Sequence, residues 1–162
     1  MDEIIHWIVG TRLSWFVTHY GWVWPISETL HFCGLTVLAG SVGLFDLRLL
    51  GVFKGLSPAA LHRLLRWSVA GFGLSVATGI TFIAGMPDQY FYNDAFKLKV
   101  ICLLLMGLNA AFFYAFEFRR VLALGADDDA SGRARFIAGA SLLLLAAVML
   151  CGRMLTFFRP PF

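Results

Sequence analysis

The chain has 162 residues, of which 59% are hydrophobic and only 14% are charged, and its mean hydropathy is +0.77. An ordinary soluble domain is about 45–50% apolar, so this composition excludes that class. A net charge of +3 without a continuous basic stripe gives no reason to expect nucleic-acid binding. We therefore expect a membrane protein whose main partner is the lipid bilayer.

The length accommodates four membrane spans of about 20 residues each and leaves no room for a separate soluble domain. Residues 1–162 are predicted to form a single transmembrane domain. Residues 3–20 interleave aromatic side chains with Arg12 and His19, which predicts an amphipathic helix lying on the bilayer surface. Spans are predicted at about residues 25–45, 67–86, 95–116 and 136–157. The predicted fold class is all-α, an integral membrane four-helix bundle with an N-terminal interfacial helix.

Small residues recur at four-residue spacing in the two central spans. They are Gly71, Ser75 and Gly79 in the second span and Gly107, Ala111 and Ala115 in the third. Such stripes let two helix backbones approach closely, so the second and third spans are predicted to pack together.

The lysines and arginines are distributed unequally between the two ends of the spans. One end has Arg48, Lys54, Arg63, Arg66, Arg119, Arg120, Arg133 and Arg135, and the other has Arg12, Lys97, Lys99, Arg153 and Arg159. Cytoplasmic loops carry the excess of such residues. We therefore expect a protein of the bacterial inner membrane with both termini in the periplasm.

Glu28 and His31 stand out because they are three residues apart within an otherwise apolar span, which places them on one helical face. Ionisable groups inside a membrane are costly and need partners from other helices. Arg153 lies at a similar depth to Glu28, so a Glu28–Arg153 ion pair is predicted, with His31 one turn deeper.

The sharper interpretation makes His31 an axial ligand to the iron of haem b. Gly34, Gly71 and Gly79 would make room for the macrocycle, and Arg153 would meet a propionate. The other axial position would be filled by Met149, by Met106 or by no residue. The protein would then be an electron-transfer component or a membrane anchor, working with a redox partner or as a homo-oligomer.

Other chemistries remain open. Glu28, His31 and Arg153 could form a metal-free polar cluster in a structural subunit or a small transporter. Copper bound by His31, Met149 and Cys33 is a further alternative, and a di-iron site would need a second Glu-x-x-His motif that the sequence lacks. Because no nucleophile, phosphate loop or hydrolytic constellation is recognisable, the protein is not expected to be an independent enzyme.

Three basic residues lie just before the second span: His62, Arg63 and Arg66. Together they are predicted to form a basic, lipid-facing collar that contacts anionic headgroups on the cytoplasmic side.

Several stretches resemble an uncharacterised family of small bacterial inner-membrane proteins. They are Glu-Thr-Leu-His at 28–31, Phe-Asp-Leu-Arg-Leu-Leu-Gly at 45–51, Asn-x-x-Phe-Lys-x-Lys at 93–99, Gly-Leu-Asn-Ala at 107–110 and Cys-Gly-Arg-Met at 151–154. The resemblance implies a four-span fold and assigns no activity. A looser similarity to four-helix haem and copper membrane proteins of the cytochrome b561 and CopD kinds is architectural only. The paired histidines typical of the haem pattern are lacking here.

Overall fold

A computed structural model describes residues 2–158, which form helices joined by short loops. The helices are α1 (Asp2–Val9), α2 (Arg12–His19), α3 (Val23–Leu49), α4 (Pro58–His62), α5 (Leu65–Gly85), α6 (Pro87–Phe91), α7 (Asp94–Phe112), α8 (Phe118–Leu122) and α9 (Gly132–Met154). A π-helical turn, Phe113–Glu117, joins α7 to α8. The predicted all-α fold class is confirmed.

Four helical stretches are long and apolar enough to cross a membrane: Val23–Leu49, Pro58–Gly85, Asp94–Leu122 and Gly132–Met154. The prediction of four apolar helices is therefore confirmed. The first continues to Leu49 instead of ending near residue 45, because Asp46 and Arg48 are buried where solvated residues were expected. The third continues through the π-helical turn to Leu122.

The N-terminal segment forms two short helices, not the single interfacial helix predicted over residues 3–20. The break falls at Gly10 and Thr11, where the Thr11 hydroxyl accepts a hydrogen bond from the Ser14 amide at 3.2 Å and caps α2. This side-chain cap starts a new helix and changes its direction. α2 packs against α5, and the Cβ position of Gly85 lies only 2.9 Å from Val17 Cγ1. The segment thus packs against the end of the bundle.

The four long helices pair in an order that differs from the predicted one. α5 packs along α3, α7 packs along α9, and α3 also contacts α9. A Cβ atom on Gly34 would lie 2.7 Å from the Gly71 carbonyl oxygen, so the backbones of α3 and α5 touch at this point. The predicted packing of the second span against the third is wrong, because Gly71 and Ser75 serve the contact with α3. Within residues 2–158, α5 and α7 share no extended interface.

The opposite end of the bundle from α1 and α2, here called the loop end, is built around Arg48. This side chain is 0% exposed. Its Nε donates to the Leu56 carbonyl at 2.6 Å, and its Nη2 donates to the carbonyls of Gly125, Ala126 and Asp128 at 3.2, 2.6 and 3.1 Å. Arg48 therefore joins the end of α3 to the loops that follow α3 and α8.

Glu117 is the second buried charge at the loop end, with an exposure of 1%. The π-helical turn ends at Glu117, and its Oε2 accepts a hydrogen bond from the Ser131 hydroxyl at 2.8 Å. Ser131 also caps the N-terminus of α9 by accepting from the Ala134 amide at 3.1 Å. The carboxylate is therefore placed at the positive end of the α9 dipole, which favours an anion.

Candidate ligand site around His31

His31 lies between α3 and α5, in the half of the bundle nearer to α1 and α2. Its Nδ1 is 2.8 Å from the hydroxyl oxygen of Thr78, and its ring meets the Phe82 ring edge-on with 5.5 Å between the centroids. Thr78 is buried and His31 is half-buried. The close approach of α3 and α5 one turn further along, at Gly34 and Gly71, brings these side chains within hydrogen-bond reach.

The hydrogen bonds of Thr78 determine which nitrogen of His31 carries the proton. The single hydroxyl proton of Thr78 is donated to the Leu74 carbonyl at 2.8 Å. The hydroxyl oxygen is then an acceptor toward His31, so Nδ1–H is the donor in the His31–Thr78 contact. A histidine that is held through Nδ1 and is free at Nε2 has the arrangement typical of metal-ligating histidines.

Lys99 is the other ionisable side chain of this region, and sequence reasoning placed it only near the surface. It is half-buried, and its Nζ lies 3.6 Å from the Cβ position of Gly152 on α9. Its ammonium is within electrostatic range of the His31 ring. A signal existed in the sequence: Lys97 and Lys99 are two residues apart on a helix and must point to different faces.

Glu28 and Arg153 do not form the predicted ion pair within the described part of the chain. The Arg153 guanidinium lies over the Phe157 ring, 5.5 Å from its centroid, and both charged side chains are exposed. Glu28 acts instead on Tyr90 of α6: burial and the nearby Glu28 carboxylate raise the pKa of Tyr90 to about 12. The polar cluster of Glu28, His31 and Arg153 is therefore not held together by this ion pair.

The residues predicted to surround a haem have different environments. Met106 is half-buried on α7, whereas Met149 is exposed on α9. Gly79 is half-buried and has no atom within 4 Å of its Cβ position, so there is open space beside it. Gly34 and Gly71 make room for each other's helix, and the expectation that they make room for a macrocycle is wrong.

His62, predicted to lie in a lipid-facing collar, contacts aromatic side chains at the loop end. Its Nε2 is 3.3 Å from the Tyr114 hydroxyl, and its ring contacts the rings of Phe45 and Phe118. Arg63 and Arg66 are exposed beside it. The imidazole thus packs among aromatic rings, the two arginines are exposed, and a lipid-facing collar of these residues stays a prediction.

Within residues 2–158, no group of three His, Cys, Asp or Glu side chains lies close enough together to hold a metal ion. Cys33, proposed as a copper ligand, lies two residues after His31 on α3. The two side chains therefore point to different faces of the helix. His31 remains as a single imidazole that could ligate the metal of a larger cofactor.

The fold and the site define a class: a small all-α protein with four helices able to cross a membrane and an oriented histidine between two of them. The chain belongs to a family of unknown function, DUF6644, whose sequence profile matches residues 4–158. The predicted membership of an uncharacterised family is thereby confirmed. Neither the curated proteins nor the solved structures contain a match to this chain.

Proposed function

We propose that this protein binds a b-type haem through Nε2 of His31 and serves as a small electron-transfer component or anchor in the membrane. The observation that carries the proposal is the Nδ1–Thr78 hydrogen bond, which orients the imidazole between α3 and α5. A bound haem supplies one-electron redox chemistry. The protein's part is to hold and orient the group and to keep water away from it.

The surroundings of His31 fit such a group in two respects. α5 and α7 have no extended contact within residues 2–158, and no atom lies within 4 Å of the Cβ position of Gly79, the neighbour of Thr78. Met106 is the better buried of the two candidate second ligands. Met106 would complete the coordination, or the second axial position would stay open.

We further propose that the protein resides in a bacterial inner membrane with its loop end in the cytoplasm and both termini in the periplasm. The support is the excess of arginines at the loop end, where Arg63, Arg66 and Arg119 are exposed.

The experiment that tests haem binding is an absorption spectrum of detergent-purified protein from haem-replete cells, before and after reduction with dithionite. We expect a Soret band that shifts and sharpens on reduction and is absent in His31→Ala. His62→Ala is the matched control, because it removes a half-buried imidazole at the opposite end of the bundle and should leave the spectrum unchanged. A colourless wild-type protein, or an unaltered spectrum in His31→Ala, would contradict the proposal.

The second candidate function is a metal-free polar cluster in a structural subunit or small transporter. It is favoured by the His31–Thr78 hydrogen bond itself, because a histidine with a partner needs no metal to occupy this position. A folded, colourless protein that contains no metal by elemental analysis would support it.

A further inference from the structure

Lys97 and Lys99 are two lysines of the same helix with opposite environments. Lys97 is exposed and forms an ion pair with Asp94 at 2.7 Å. Lys99 is half-buried against Gly152 and Cys151 of α9. Among residues 2–158 it has neither a hydrogen-bond acceptor nor a carboxylate partner.

An ammonium group within a hydrophobic span is costly unless an anion or several acceptors compensate it. The two polar groups that interact electrostatically with Lys99, the His31 imidazole and the Cys151 thiol, do not compensate its charge. The Nδ1 of His31 is engaged with the Thr78 hydroxyl, and the Cys151 thiol is a weak acceptor. The acidic residue of α3 in this half of the bundle, Glu28, is exposed and is not bonded to Lys99. The position of Lys99 is therefore suited to a negative group that comes from a ligand.

We propose that Lys99 binds a carboxylate of the ligand held at His31, which for a b-type haem is a propionate. This inference rests on the proposed function and assigns to Lys99 the role that the sequence suggested for Arg153. The compact ammonium of Lys99 can bind one carboxylate oxygen. The Arg153 guanidinium lies over the Phe157 ring instead.

The test is a titration of apo-protein in detergent micelles with haemin and, separately, with haemin dimethyl ester, in which both carboxylates are blocked. The proteins compared are wild type, Lys99→Gln, Lys97→Gln and His31→Ala. The informative quantity is the ratio of the two affinities within each protein, because partitioning of the ligands into micelles cancels when ratios are compared.

We expect Lys99→Gln to weaken haemin binding about tenfold or more, as for the loss of a hydrogen bond to a charged group. Its binding of the dimethyl ester should be unchanged, and Lys97→Gln should match wild type with both ligands. Lys99→Arg keeps the positive charge and should retain most of the preference for haemin. If Lys99→Gln does not fold, Lys99→Met, which also removes the charge, replaces it, and a Lys99→Met ratio equal to those of wild type and Lys99→Arg contradicts a role of the charge.

The outcomes separate the two proposals. If wild type binds haemin, His31→Ala does not, and Lys99→Gln keeps the wild-type ratio, the inference about Lys99 is wrong and the proposed function stands. Equal weakening of both ligands in Lys99→Gln also contradicts the inference, because it indicates a general structural effect. Failure of wild type to bind either ligand overturns both.

Discussion

Arg48 has its charge balanced by backbone carbonyls, with no carboxylate among its hydrogen-bond partners in the described chain. Hydrogen bonds to a charged group contribute about 1.5–3 kcal/mol each when they are geometrically good. A guanidinium can reach carbonyls in two loops at once because its donors form a planar fork. Nη1 has no hydrogen-bond acceptor in the described part of the chain, so not all of the guanidinium donors are used.

The first prediction concerns this residue. Arg48→Leu should lower the free energy of unfolding by about 2–4 kcal/mol, because it removes four hydrogen bonds made by a fully buried guanidinium. Arg48→Lys should recover only part of the loss, because an ammonium cannot span both loops. The measurement is thermal or denaturant unfolding in detergent. Arg63→Leu, at an exposed position, is the control and should stay within about 0.5 kcal/mol of wild type. An Arg48→Leu variant as stable as wild type would contradict this account.

At the scale of elements, α3 and α5 form the closest pair, and two glycines determine their separation. The Cβ position of Gly71 lies 2.6 Å from the Gly34 carbonyl oxygen and 3.0 Å from the Leu38 amide nitrogen. Both obstacles are backbone atoms, which cannot move aside as a flexible side chain can. Without a hydrophobic force between helices in lipid, this kind of close packing is a main source of association.

The second prediction follows from this contact. Gly34→Ala and Gly71→Ala should each destabilise the protein by about 1–3 kcal/mol through overpacking. Gly40→Ala and Gly73→Ala are matched controls on the same helices, because no atom lies within 4 Å of either Cβ position. They should be neutral or stabilising by up to about 1 kcal/mol, since alanine favours the helix. The measurement is denaturant-induced unfolding, and an equal effect of all four substitutions would show that the α3–α5 contact is not the cause. If His31 ligates haem, the two damaging variants should also reduce haem content.

The π-helical turn changes the direction in which the side chains after it point. In the π conformation a hydrogen bond closes over five residues instead of four, which rotates the following residues relative to a regular helix. Glu117 ends this turn and is buried against Ser131, whereas Arg119 and Arg120 in α8 are exposed. The sequence indicated only that the third span ends among charged residues.

At the scale of the whole molecule, four helices are long and apolar enough to cross a membrane, and four crossings would place α1 and the end of α9 on the same side. The third prediction is the orientation. A periplasm-dependent reporter fused to the C-terminus should be active, and the same reporter inserted in the loop over residues 123–131 should be inactive. A cytoplasm-dependent reporter at the same two positions should give the reverse pattern. Activity of the periplasmic reporter only in the loop would show the opposite orientation.

The sequence predicted the parts of this fold that depend on composition and periodicity. Long apolar runs predicted the four helices, and the apolar context of His31 singled out a side chain that contacts Thr78 of α5. Helix pairing was not predictable. Small residues such as Gly71 and Ser75 indicate that another helix can pack closely against α5, but they do not identify that helix. Lys99 and Arg48 were assigned to span ends because a charge count does not reveal whether a side chain points outward or between helices.

The partners of Arg48 are made at very different times during synthesis. The Leu56 carbonyl follows Arg48 by eight residues, but the carbonyls of Gly125, Ala126 and Asp128 follow it by 77, 78 and 80 residues. While α3, α5 and α7 enter the membrane, the guanidinium therefore lacks most of its acceptors. The loop end can close only when the chain has emerged past residue 128, just before α9 is made. Arg48 can therefore form its full set of hydrogen bonds only shortly before the last helix, α9, is synthesised.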